Sequence, residues 1–135
     1  MRTPEQILKE STTIAVVGLS PDPLRDSNSV SVYLRGEGYT IIPINPTVNE
    51  VLGLKCYPSL RDIPRPVDIV DVFRRSEAVM PLAQEAVAIG AKALWLQLGV
   101  INEEAAAMAA EAGLDVVMDE CTARLHAQLK REGRI

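Results

Sequence analysis

Short apolar runs recur along the chain, each closed by glycine, proline or a polar cluster. They are IAVV at 14–17, IIPI at 41–44, VDIVDVF at 67–73, ALWLQ at 93–97 and LDVVM at 114–118. Runs of this length with little polar alternation are the pattern of strands buried on both faces. Helical stretches separate them. Thr3-Pro4-Glu5-Gln6 is a helix start, with Thr3 as cap, Pro4 at the first helical position and Gln6 reaching back, and the helix runs to about Glu10. Ser27 or Asn28 is expected to cap a second helix, which places Val30, Tyr33 and Leu34 on one side and ends at Gly36 or Gly38. Ser76 is expected to cap a third, running to Ile89 with Val79, Leu82, Ala83, Ala86 and Val87 along one stripe. Pro81 lies inside that helix and predicts a kink or a loose first turn. Asn102 opens a fourth helix and Gly113 closes it; residues 121–132 form an amphipathic fifth.

Residues 48–64 are less regular, with a short edge strand at 54–57 and one helical turn at 59–62. Strand and helix otherwise alternate throughout, the signature of stacked βαβ units and a doubly wound parallel α/β sheet. No linker, repeat or low-complexity segment interrupts residues 1–135, which are expected to form one domain.

Composition narrows the function. The chain has 135 residues, 47% of them hydrophobic, and a formal net charge of −4 with a pI near 5.0. That balance argues against a nucleic-acid binder. No apolar run approaches the ~18 residues of a membrane span, and the first ten residues lack the apolar core of a signal peptide. The expectation is a cytoplasmic protein with no membrane partner. Cys56 and Cys121 form no CxxC pair and read as free thiols. With His126 the single histidine, neither a zinc site nor a Ser-His-Asp set can be assembled. His126 itself reads as a surface residue, and Cys121 first as a small buried one.

The candidate chemistry lies at strand ends. After the first strand the chain reads Gly18-Leu19-Ser20-Pro21-Asp22-Pro23. A dinucleotide fingerprint would carry glycine at the positions of Ser20 and Pro23. The second strand ends in Ile44-Asn45-Pro46, without the acid that holds the ribose of NAD. Both features disfavour NAD. Ser20 and Ser27 instead offer hydroxyls, and Arg25 a fork of donors suited to phosphate oxygens. Phe73-Arg74-Arg75 leaves the strand expected beside the first one, at the switch point of the sheet. Gln97 and then Asp119-Glu120-Cys121 leave the next two. Each has a plainer reading: Gly18 as a turn residue, the arginines as a solvated helix cap, Gln97 as a loop brace. Their convergence on one edge favours a ligand.

GLSPDPLRDS, IIPINP, VDIVDVFRRSEAV, WLQLGV and VVMDEC together resemble the small CoA-binding proteins, similar to the N-terminal CoA-binding domain of the succinyl-CoA synthetase α subunit. The resemblance runs from about Thr13 to Leu125. It implies a Rossmann-like sheet of strand order 3-2-1-4-5 with additions, binding coenzyme A or an acyl-CoA along its carboxyl edge. On the matching positions, Gly18, Ser20, Arg25 and Ser27 lie near the diphosphate, and Asn45 and Pro46 toward the adenosine and its 3′-phosphate. Phe73 and Arg74 flank the nucleotide; Gln97 and Cys121 flank the pantetheine arm. The synthetase's phosphorylated histidine belongs to another domain and matches nothing here, so the resemblance implies binding without ligase activity. An NAD(P)-dependent oxidoreductase and a ligand-free interaction module are the competing readings. The sequence names no protein partner and excludes none.

Overall fold

The computed structural model describes residues 1–135. Helix α1 (Pro4–Glu10) is opened by the reciprocal Thr3–Gln6 capping box. Strand β1 (Thr13–Val17) leads through the loop at residues 18–25 into α2 (Asp26–Gly36), and β2 (Thr40–Ile44) follows. A hairpin of β3 (Glu50–Val51) and β4 (Leu54–Lys55) and a 3-10 turn at Leu60–Asp62 precede β5 (Ile69–Val72). The rest alternates: α3 (Val79–Ala88), β6 (Ala93–Leu96), α4 (Glu103–Glu111), β7 (Asp115–Val117) and α5 (Thr122–Arg131).

Five parallel strands form the main sheet in the order β2-β1-β5-β6-β7. The chain winds outward to β2, then returns across β1 to β5, so the direction of winding reverses between β1 and β5. This is the α/β, Rossmann-like architecture expected from the alternation. The strand expected at 54–57 is largely replaced. Leu54 and Lys55 pair antiparallel with Val51 and Glu50, and only Tyr57 bridges in parallel to Ile44 on the outer side of β2. The stretch from Asn45 to Leu54 is too short for a full parallel crossover. The third position of the expected order survives as that single bridge.

Side chains alternate between two cores. Ile14, Val16, Ile69 and Trp95 face one side, against Ile7 and Leu8 of α1, Val30 and Leu34 of α2 and Leu129 of α5. Ala15, Val17, Val70, Leu94 and Leu96 face the other, against Val79 and Ala83 of α3 and Ala105 and Ala109 of α4. Helices therefore cover both faces, which explains why the strands read as continuous apolar runs.

Three local expectations need correction. Ser27 does not cap α2: Arg25 holds the cap position without a side-chain bond, and the Ser27 hydroxyl accepts instead from the Ser20 N–H at 3.0 Å. Ser76 does not cap α3: a 3-10 turn at Ser76–Ala78 comes first, and Ser76 Oγ accepts from the Ile101 N–H at 2.9 Å. Pro81 then falls in the first turn of α3, where a missing N–H breaks no intrahelical bond, and the helix runs from Val79 to Ala88 behind the 3-10 turn. Finally, His126 is buried rather than on the surface, with Nδ1 2.9 Å from the Tyr33 hydroxyl and its ring edge-on to Tyr39.

Candidate functional site

A cleft of about 1060 Å³ runs along the carboxyl ends of the strands, across the reversal point. Its location follows from topology: adjacent crossovers on opposite faces leave a crevice there. A smaller cavity of about 360 Å³, lined by Thr12, Gly38, Tyr39 and His126, lies at the amino ends. The first is the larger of the two and has ample room for a nucleotide-sized ligand.

The first wall is the loop after β1. Gly18 adopts φ +88°, and a Cβ there would come 2.5 Å from the Phe73 carbonyl oxygen. Backbone just past β5 thus presses on the loop start, and only glycine fits. The same hypothetical Cβ would sit 3.4 Å from Arg74 Nε, which puts the Arg74 side chain beside the loop. The loop braces itself. Ser20 Oγ accepts from the Asp22 N–H at 3.1 Å, and Asp22 Oδ1 accepts from the Leu24 N–H at 2.9 Å. Asn28 Nδ2 donates to the Ser20 carbonyl at 2.9 Å, and Asn45 Nδ2 to the Leu19 carbonyl at 3.0 Å. Asn45 Oδ1 in turn takes the N–H and hydroxyl of Thr47 at 2.9 and 2.7 Å. The polar side chains here hold a shape before any ligand arrives.

Nine of the ten residues expected at a ligand site line this one cleft: Gly18, Ser20, Arg25, Ser27, Asn45, Phe73, Arg74, Gln97 and Cys121. Pro46 is outside its lining. Arg75, Thr47, Leu98 and Arg124 line it as well. Arg124 was not anticipated, although the signal existed. It lies in the first turn of the helix after a strand, the same location as Ser27 in α2.

Charge concentrates in the cleft against the sign of the whole protein. Four arginines (25, 74, 75 and 124) line it against the single acid Asp26. Arg75 is paired with Glu77 at 3.5 Å, while Arg25, Arg74 and Arg124 enter no ion pair within the chain. Asp26 and Ser27 open α2 beside them, and the first amides of a helix lack intrahelical acceptors. Free guanidinium forks and a helix start together favour an anion of the phosphate type.

Beneath the cleft is a buried polar cluster. Asp71 lies on the same face of the sheet as Ile69, flanked in register by Val16 and Trp95, and is fully buried. Its carboxylate accepts from Gln97 Nε2 at 2.6 Å and from Thr122 Oγ1 at 3.1 Å. Thr122 Oγ1 also accepts from Gln97 Nε2 at 2.8 Å. Burial pushes the Asp71 carboxyl up to about 7, opposed by the hydrogen bonds from Gln97 and Thr122. No cluster of histidine, cysteine and carboxylate side chains in the structure could hold a metal ion.

The family of CoA binding domains matches residues 12–127. The chain belongs to that family. Within it, the chain is 48% identical over 126 residues to the uncharacterized protein YneT of Bacillus subtilis (strain 168), covering 93% of each. It superposes on the solved structure of a hypothetical protein from Pyrococcus horikoshii OT3 with a TM-score of 0.91 at 43% identity, covering 96% of this chain and 93% of that one. It is also 25% identical over 126 residues to the acetate–CoA ligase (ADP-forming) I of Archaeoglobus fulgidus. There the match takes in 86% of this chain but only 18% of the ligase. The CoA-binding domain therefore occurs both in chains of about this length and as a segment of much longer ligases.

Proposed function

We propose that this CoA-binding domain holds coenzyme A or an acyl-CoA in the carboxyl-edge cleft, and that it acts by binding rather than by catalysis. The observation that carries the reading is the set of unpaired arginines gathered in one cleft of a net-acidic chain, in a domain whose family is defined by CoA. Coenzyme A presents a diphosphate and a 3′-phosphate, and each can be met by guanidinium groups. Arg25 and Arg74, with Gly18, Ser20 and Ser27, would take the diphosphate at the start of α2. Asn45 and Thr47 would lie toward the adenosine, with Pro46 just outside the lining and Phe73 against the nucleotide. Gln97 and Cys121, at the far strand ends, would border the pantetheine arm.

Support for a binding role comes from what surrounds the cleft. The single histidine is at the opposite end of the sheet, beside the smaller cavity. The one strongly shifted carboxyl, Asp71, is sealed beneath the floor. No helix is long and apolar enough to cross a membrane; the proposal is of a cytoplasmic protein with a small-molecule ligand. The decisive experiment is isothermal calorimetry with CoA, acetyl-CoA, NAD and NADP, alongside mass spectrometry of small molecules released from the purified protein. Saturable CoA or acetyl-CoA binding without NAD or NADP binding is expected. Preference for a nicotinamide cofactor would replace this reading with the oxidoreductase one, and no binding by any of the four would favour an interaction module.

A further inference from the structure

The buried cluster beneath the cleft has a hydrogen-bond polarity that can be worked out proton by proton. Thr122 Oγ1 carries one proton, and that proton goes to Asp71 Oδ2 at 3.1 Å. Toward Gln97, 2.8 Å away, Thr122 can then only accept. The other neighbour of the Gln97 amide is Asp71 Oδ1 at 2.6 Å, which in its ionised form, the one populated above about pH 7, also only accepts. Both contacts demand N–H. With Asp71 ionised, the two protons of Gln97 Nε2 are therefore spent inside the cluster, and the amide cannot turn over without setting its oxygen against two acceptors.

That leaves Gln97 Oε1. It accepts from no group in the chain, and it is not one of the two sealed orphan atoms of the structure, Glu5 Oε1 and Ser11 Oγ. Gln97 is only 4% exposed, and it lines the cleft. Its residual access is through the cleft floor. A buried amide with one unmet lone-pair site facing a cavity is a demand for a donor.

We infer that Gln97 offers the cleft a fixed hydrogen-bond acceptor, held by Asp71 and Thr122 as positioning residues, and that the cleft selects at this point for a ligand bearing an N–H or S–H donor. This rests on the proposed CoA function and deepens it. The pantetheine arm carries such donors as two amide N–H groups and a terminal thiol, whereas the nucleotide half is rich in acceptors. A carbonyl or thioester oxygen placed there would meet Oε1 lone pair to lone pair. The donor specificity lies in a residue that carries no charge and in two partners the ligand never touches.

The test uses the intact protein at pH 8, where Asp71 is ionised, and two independent readouts. In the ligand-free protein, both side-chain N–H signals of Gln97 in ¹⁵N NMR should be slow to exchange with solvent, and they should lose that protection in Asp71→Asn and Thr122→Val. Fast exchange in the wild type would overturn the fixed orientation whatever the protein binds. In calorimetry, Gln97→Met keeps length and removes the acceptor. It should weaken CoA about tenfold while leaving adenosine 3′,5′-bisphosphate, which lacks the pantetheine arm, unchanged. The same loss with S-methyl-CoA assigns the donor to an amide; a loss confined to CoA assigns it to the thiol. Unchanged CoA affinity, or an equal loss for the bisphosphate, would overturn the inference. If wild-type protein binds neither ligand, the CoA function fails and the donor selection with it, while the NMR result still decides the amide orientation.

Discussion

Asp71→Asn should make the protein's stability less sensitive to pH in one definite direction. The carboxyl is fully buried between Val16 and Trp95, and burial raises it from 3.8 to about 7 against the pull of its two hydrogen bonds. Each pH unit across such a gap is worth ~1.36 kcal/mol, so ionising Asp71 in the folded sheet costs about 4 kcal/mol relative to the unfolded chain. The folded state keeps the proton where the unfolded chain has released it. Stability contributed by Asp71 is therefore complete below about pH 4, falls as pH rises toward 7, and is gone above that. Asp68 and Asp115 work the other way: burial pushes them up, but hydrogen bonds from Thr12 and Thr13, and from Arg2, together outweigh it and hold them below the usual carboxylate range. Their contribution is lost as pH falls, and it cancels when variant and wild type are compared. Urea unfolding followed by the fluorescence of Trp95, the single tryptophan, gives the comparison at each pH. The stability of Asp71→Asn minus that of wild type should climb by about 1 kcal/mol per unit between pH 5 and 7, then level off. A constant offset from the altered hydrogen bonds does not matter; the slope does. A difference that is flat over this range, or that falls, would refute the assignment of a buried, proton-holding Asp71.

Other consequences can be checked with single substitutions. Arg74→Ala should weaken CoA by roughly 10- to 100-fold, the equivalent of one charge-assisted hydrogen bond; an unchanged calorimetric constant would take Arg74 out of the site. Gly18→Ala combines a left-handed backbone with a 2.5 Å approach to the Phe73 carbonyl, and should lose about 2–4 kcal/mol in denaturant unfolding. His126 is shifted below 6.5, by burial first and Lys130 second, against the opposing pull of Glu37. Its NMR titration should show a midpoint under 6.5, and Glu37→Gln should lower it further. Replacing the Asn102 cap, whose Oδ1 accepts from the Ala105 N–H at 2.9 Å, by alanine should cost about 1 kcal/mol.

The sheet was readable from sequence because its strands are buried on both faces, and burial on both faces leaves unbroken apolar runs. The cleft was readable because parallel strands place all their carboxyl ends on one side, so residues far apart in sequence could be assigned to one edge by topology alone. What did not show was set by contacts across the sequence. Ser27 and Ser76 look like caps from their neighbours, yet each spends its hydroxyl on a distant backbone N–H, Ser20 and Ile101 respectively. His126 sits among polar residues, and only the packing of α5 against α2 buries it beneath Tyr33 and Tyr39. Asp71 lies inside the VDIVDVF run, and its partners, 26 and 51 residues away, could not be named without the fold.

The small β3–β4 hairpin and the lone Tyr57 bridge do more than fill the space after β2. An open β2 margin would show a row of unsatisfied amides and carbonyls to any passing chain. Here the Asn45 N–H donates to the Tyr57 carbonyl and the Tyr57 N–H to the Pro43 carbonyl, both at 3.0 Å. Pro43 has no N–H of its own to offer. The irregular segment acts as a selvage, finishing the fabric so that neighbouring molecules find no loose thread to stitch onto.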